Sequence, residues 1–332
     1  MTEAGARPFG DASWYPVDLD ARAGVFRMAH VDAAAFIEAT FHDVRLAFDA
    51  SREASVPASA VPPLTASGAW LWHTSFCGSS LLSRMLQLPP RLFALREPWI
   101  LRRLSDHAHA GGDVEALVPP ALGLLSRPWT PGGQVVVKPT HGALNIATRL
   151  MRAAPRGRAV LLTSGLGDFV ASHLKKTAET LNRVPVLAER ALSAGTFAQR
   201  LPPQALNPPN LLAAAGLQWA AQRELAADLV ASMQGRCLPL HFESLLDDPV
   251  ATATQAAEWL ELDIGREDLV RQAGSASRLH AKAPTRPYDA RTRASEAALL
   301  AARHGAELEA AIAWVHANVL PSMRPAAMEL TA

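Results

Sequence analysis

The chain is poor in cysteine and tyrosine, with two of each in 332 residues. Cys77 and Cys237 are too few for a disulfide framework, and no Cys/His spacing around them suggests a zinc site, so no metal is expected. Charge of one sign is also lacking. The formal net charge is +1, which excludes the concentrated basic footprint of a nucleic-acid binder and makes any affinity for anions local. No apolar run reaches the length of a membrane span, and no basic segment followed by an apolar stretch opens the chain. A cytoplasmic setting is the expectation. Finally, the lysine-bearing nucleotide loop G-x-x-x-x-G-K-[ST] does not occur.

What is present is core material: 49% of residues are hydrophobic and 19% charged. Apolar runs at 69–72, 134–137 and 158–162 read as buried strands, each followed by a helical pattern, and a fourth strand is expected at 236–242. That alternation predicts an α/β fold with a parallel sheet flanked by helices in three layers. Residues 1–65 read as an N-terminal addition: a hairpin around 14–30, a helix from about Asp32, and a Ser/Pro/Ala-rich linker over 51–67. Residues 66–322 read as the main domain and 323–332 as a tail. Within the main domain the proline-broken stretch 181–210 reads as an excursion or lid, and 211–233, 250–260 and 294–320 as helices.

The chemistry concentrates after the first main-domain strand. Phe76-Cys77-Gly78-Ser79-Ser80-Leu81-Leu82 is a small-residue turn leading into a helix, where amide N–H groups and the Ser79 and Ser80 hydroxyls would face a phosphate. Four further segments follow in order. They are Leu95-Arg96-Glu97-Pro98, the strand end Val135-Val-Val-Lys-Pro-Thr-His141, the turn Ser164-Gly-Leu-Gly-Asp-Phe-Val-Ala-Ser172, and Leu240-His-Phe-Glu-Ser-Leu-Leu-Asp-Asp-Pro249.

Together these segments resemble the sulfotransferases that use 3′-phosphoadenosine 5′-phosphosulfate (PAPS), especially the bacterial branch, over roughly residues 69–265. The resemblance implies a P-loop-type sheet and PAPS as co-substrate. It places Cys77, Gly78, Ser79, Ser80 and Leu81 on the 5′-phosphosulfate, and Ser164 and Ser172 in the 3′-phosphate segment. Two positions depart from the family pattern. Phe76 stands where the loop usually has Lys or Arg, and Ser164 where the 3′-phosphate segment usually opens with Arg. Charge-assisted contacts to phosphate are the strong ones. Replacement cations are therefore sought in Lys175, Lys176, and the basic loop 277–288 that carries Lys282 and Arg286.

Sulfuryl transfer needs a base for the acceptor proton and cations for the leaving phosphate. Glu97 and His141 are the candidate bases, with Glu97 preferred if burial lifts its pKa, and Lys138 is the candidate for stabilising the leaving group. The acceptor is expected to be a hydroxyl or amine of a small molecule. Two alternatives stand beside this: a phosphoryl transferase or an enzyme using a nucleotide without a 3′-phosphate, and a non-catalytic nucleotide- or partner-binding protein. Trp70 and Trp72 are expected in the core, although either could border an adenine. The pair His107 and His109 reads as a solvated loop.

Overall fold

The structure is a computed structural model and describes residues 9–62, 68–276, 279–280, 283–287 and 290–330. Among the described residues, eight strands in two sheets organise the chain, and Leu279–His280 pairs with Ala283–Pro287 in a separate two-stranded sheet. Strands β1 (Trp14–Asp20), β2 (Val25–His30) and β3 (Asp49–Pro57) form an antiparallel sheet in that order. The expected linker over 51–67 is thus overturned in its first half. Its residues alternate little in polarity, but β2 offers them a free edge, and Val25 to Ala29 pair with Pro57 back to Glu53.

Strands β4 (Ala69–His73), β5 (Leu92–Arg96), β6 (Gln134–Lys138), β7 (Arg158–Thr163) and β8 (Cys237–His241) form the second sheet. Its order is β5-β6-β4-β7-β8, and every pairing is parallel. The sequence patterns anticipate four of these strands. β5 is the addition, a five-residue run after a Pro-Pro step that is too short to declare a period.

Alternate residues explain the layers. Trp70, Trp72, Val137, Ala159 and Leu161 enter one apolar cluster, whereas Ala69, Leu71, Val136, Val160 and Leu162 enter another on the opposite face. The helices Leu166–His173 and Leu211–Ser232 cover the first face. Ser79–Met85, Pro249–Trp259 and Arg266–Ala276 cover the second. The result is a three-layer α/β/α arrangement. Trp70 and Trp72 stack on each other with 0% and 1% exposure, so neither borders a ligand.

Among the residues that hold the N-terminal segment to the main domain, one lies at a strand end of the parallel sheet. Arg96, 4% exposed at the end of β5, donates to Gln87 Oε1 (2.6 Å) and to the carbonyls of Ile37 (2.8 Å) and Ala39 (2.6 Å). Its backbone N–H donates to His42 Nδ1 (2.8 Å), and the His42 N–H returns a bond to the Arg96 carbonyl (2.6 Å). Burial, then the Arg96 charge, pushes His42 down to about 3, so this clamp is a neutral ring against a cation. Arg96→Met should cost about 2 kcal/mol of stability, because carbonyls that accept from a charged donor lose it. Urea unfolding midpoints at unchanged slope would measure this, and an unchanged midpoint would refute it.

The stretch 181–210 is pinned rather than loose. Arg190, on the helix Val184–Ser193 and 6% exposed, donates to the Gly142 carbonyl (3.2 Å) and pairs with Asp106. It braces the turn that follows β6.

Candidate active site

The C-terminal ends of parallel strands are where open α/β sheets bind ligands, and here β4, β5 and β6 end together. β5 and β6 align Arg96 with Lys138, so the next residue, Glu97, clears the sheet beside Lys138. The Glu97 N–H donates to the Lys138 carbonyl (2.7 Å), and Lys138 Nζ donates to Glu97 Oε1 (2.7 Å). The Lys138 side chain is 1% exposed and that of Glu97 20%. Glu97 adopts a left-handed conformation (φ 60°), which a glutamate holds at a cost of about 1 kcal/mol or more. The strained turn is what aims the carboxylate at Lys138.

Burial works to raise the pKa of Glu97, but the Lys138 charge and hydrogen bond, aided by His73 and His141, outweigh it and hold the group at about 2. The expectation that burial lifts Glu97 is therefore reversed. A cation 2.7 Å away wins over desolvation, and the carboxylate is ionised at neutral pH.

His73 ends β4 beside the pair. Its Nδ1 lies 2.8 Å from the Thr74 carbonyl and its Nε2 2.9 Å from the Pro139 carbonyl, so the ring sits between the β4 and β6 turns and, when neutral, donates to only one of the two. Burial, reinforced by Lys138, keeps it well below its usual pKa. His141 follows three residues after Lys138, half-buried, with its ring edge-on to His73 at 6.4 Å. The N-terminal segment adds Phe41, whose ring lies 6.0 Å from Lys138 Nζ, and Arg45, whose guanidinium lies 4.2 Å from the centre of that ring.

The turn after β4 has the expected shape. Gly78 caps the helix Ser79–Met85 in a left-handed conformation (φ 75°). A Cβ there would meet the Phe242 ring at 2.9 Å, so the glycine admits protein packing as much as close backbone approach. Among the described residues, neither the Ser79 nor the Ser80 hydroxyl has a hydrogen-bond partner, and both side chains are nearly buried. Cys77 is 1% exposed and its thiol donates to the Thr74 carbonyl (3.0 Å), so only its backbone faces the turn. The Leu81 amide is already used, donating to the Gly78 carbonyl (2.8 Å).

The cations are redistributed. Lys176 Nζ sits 5.0 Å above the ring of Phe76, so a positive charge reaches, from another helix end, the position where the sequence places a phenylalanine. Lys175 turns away and pairs with Glu296 (3.3 Å). Ser164 is wholly buried, its hydroxyl has no partner among the described residues, and its carbonyl is sealed by the indole N–H of Trp219 (2.9 Å). Ser172 is half-buried on the helix Leu166–His173. Lys282 lies outside the described residues, and Arg286 falls in the strand Ala283–Pro287, whose side chains are not described. The structure thus gathers Glu97, Lys138 and His141 at one point and Lys176 at the turn. It separates Lys175 from them.

Sequence reading missed Gln222. It lies on the helix Leu211–Ser232, which is apolar nearly all round yet buries Gln218, Gln222, Arg223 and Glu224. Polar residues four apart on an otherwise apolar helix were the available signal. Among the described residues no helix is long and apolar enough to cross a membrane, and no group of three or more His, Cys, Asp or Glu could hold a metal.

No protein-family model matches the chain, and no curated protein matches it in sequence. Among solved structures, the sulfotransferase domain from the curacin biosynthetic pathway is similar over 62% of this chain and 77% of its own, at 16% identity and a TM-score of 0.42. The sulfotransferase domain from the Synechococcus PCC 7002 olefin synthase matches over 62% and 76%, at 14% and 0.39. A sulfotransferase from Alicyclobacillus acidocaldarius matches over 75% and 98%, at 15% and 0.38.

Proposed function

We propose that this protein transfers a sulfuryl group from PAPS to a hydroxyl or amine of a small molecule. The observation that carries the reading is the buried Glu97–Lys138 pair, set at adjacent strand ends beside a phosphate-loop-like turn. Desolvating such a pair costs free energy that apolar packing would not, and charged groups kept at strand ends point to chemistry.

In the transfer, the S–O bond to the donor phosphate breaks and a bond from sulfur to the acceptor O or N forms. The acceptor's proton passes to a base, and adenosine 3′,5′-bisphosphate leaves. Lys138 supplies positive charge for the oxygen on which negative charge develops. An anion arriving there competes with Glu97 for the ammonium. As Lys138 turns toward it, Glu97 loses its partner while staying largely buried, and its basicity rises toward the acceptor's needs. Ser79 and Ser80 offer hydroxyls to the 5′-phosphosulfate, and Lys176 replaces the charge missing at Phe76.

A second reading, an enzyme whose nucleotide lacks the 3′-phosphate, is favoured by two observations. Ser164 is buried out of reach and Lys175 is engaged with Glu296. A purely non-catalytic binder is disfavoured by the intact buried ion pair. Titration calorimetry with adenosine 3′,5′-bisphosphate and with adenosine 5′-monophosphate separates the first two readings. A preference of tenfold or more for the bisphosphate, about 1.4 kcal/mol, is expected if the basic loop 277–288 serves the 3′-phosphate. Equal affinities would give the second reading precedence.

A further inference from the structure

Gln222 is 3% exposed and lies between the phosphate-loop-like turn and His141. The Ser75 backbone N–H donates to Gln222 Oε1 (3.0 Å). A backbone N–H has no other role, so the carbonyl end of this amide is fixed at Ser75. The NH2 end must then face the other way. Its Nε2 lies 3.4 Å from Ser75 Oγ and 3.3 Å from His141 Nδ1, giving two protons and two acceptors. An amide NH2 has no lone pair to offer, so Nδ1 is the accepting nitrogen, and in a neutral imidazole the proton sits on Nε2. Histidine tautomers are ordinarily assigned by choice. Here a main-chain donor decides the matter through one intervening amide.

The backbone beneath the ring is braced as well. The next carbonyl, that of Gly142, accepts from Ser105 Oγ (2.7 Å) and from Arg190 Nε (3.2 Å). Ring and backbone are held by different elements, as a fixed reacting geometry requires.

We infer that Gln222 is a positioning residue that holds neutral His141 as its Nε2–H tautomer, so that His141 acts as a hydrogen-bond donor to negative oxygens of the transferring group and proton removal falls to Glu97. The identity of those oxygens rests on the transfer reading above, whereas the tautomer does not. A ring with its proton on Nε2 and its one lone pair occupied by Gln222 cannot collect the acceptor's proton. It can donate where charge accumulates.

The test is two-bond 1H–15N correlation spectroscopy of the full chain at a pH where His141 is neutral, with its signals identified by their loss in His141→Gln. Wild-type protein should show protonated Nε2 and bare Nδ1. Gln222→Glu keeps an acceptor for the Ser75 N–H but has no N–H for Nδ1, so the proton should move to Nδ1 or the ring should become doubly protonated. A wild-type ring protonated on Nδ1 would overturn the assignment, as would the same neutral tautomer in wild type and Gln222→Glu. The wild-type spectrum decides even if the variant does not fold. Failure of the transfer reading would appear instead as absence of bisphosphate binding in calorimetry, with the tautomer pattern unaffected.

Discussion

Lys138→Met is expected to lower the free energy of unfolding by about 3 kcal/mol at neutral pH, the low end for breaking a buried ion pair, since Glu97 keeps a fifth of its surface. The loss comes less from the vanished attraction than from the carboxylate left behind, largely desolvated and with no cation at 2.7 Å. A second substitution separates these contributions. In Lys138→Met/Glu97→Gln neither charge remains, and most of the lost stability should return, as when both members of a buried pair are replaced by neutral groups. Equal losses in the single and double variants would mean that packing around the lysine stem, not charge, sets the cost.

Acid dependence provides an independent reading of the same pair. Glu97 sits at about 2 in the folded chain against an ordinary 4.5. A depressed carboxylate contributes stability that is fully present above the unfolded value and is lost as pH falls through 4.5 toward 2. Wild-type protein should therefore lose stability through that window. Lys138→Met should lose less over the same range, because its Glu97 no longer has a folded-state preference for the charged form.

The second large effect is catalytic. Glu97→Gln should reduce turnover by about 10²- to 10⁴-fold, the scale for removing a positioned base, while affinity for adenosine 3′,5′-bisphosphate changes little. Glutamine keeps the side-chain length in a turn whose left-handed backbone tolerates few residues, and its amide oxygen can still accept from Lys138. What it cannot do is take a proton. Steady-state kinetics with a responsive acceptor, run beside equilibrium binding of the bisphosphate, would show the split. Undiminished turnover would remove Glu97 from the chemistry and leave no base at this strand end, given the tautomer argued for His141.

Glu97, Lys138 and His141 were legible as candidates because each sits just beyond an apolar run, where a charged or titratable residue is out of keeping with the strand before it. Their consequences were not legible. The sequence suggested that Glu97 would be made more basic by burial, and the structure pushes it the other way, because its nearest neighbour in space is 41 residues away in sequence. Phe76 read as a lost cation, and Lys176 restores a charge above its ring. Ser164 read as a weakened phosphate contact, and Trp219 seals it away instead. Gln222 did not register at all, since its partners Ser75 and His141 lie 147 and 81 residues off.

By itself, then, the amino-acid sequence determined the layered α/β plan, four of the five parallel strands, and the strand ends that carry the candidate residues. These follow from local rules: a sheet buried on both faces demands near-continuous apolar runs, and glycine marks the turn that leaves it. Only the tertiary structure decided which charge faces which, how the N-terminal segment reaches the site through Arg96, and which nitrogen of His141 holds the proton. Electrostatic and hydrogen-bond energies depend on distances of a few ångströms between residues far apart along the chain, and no local pattern records those distances.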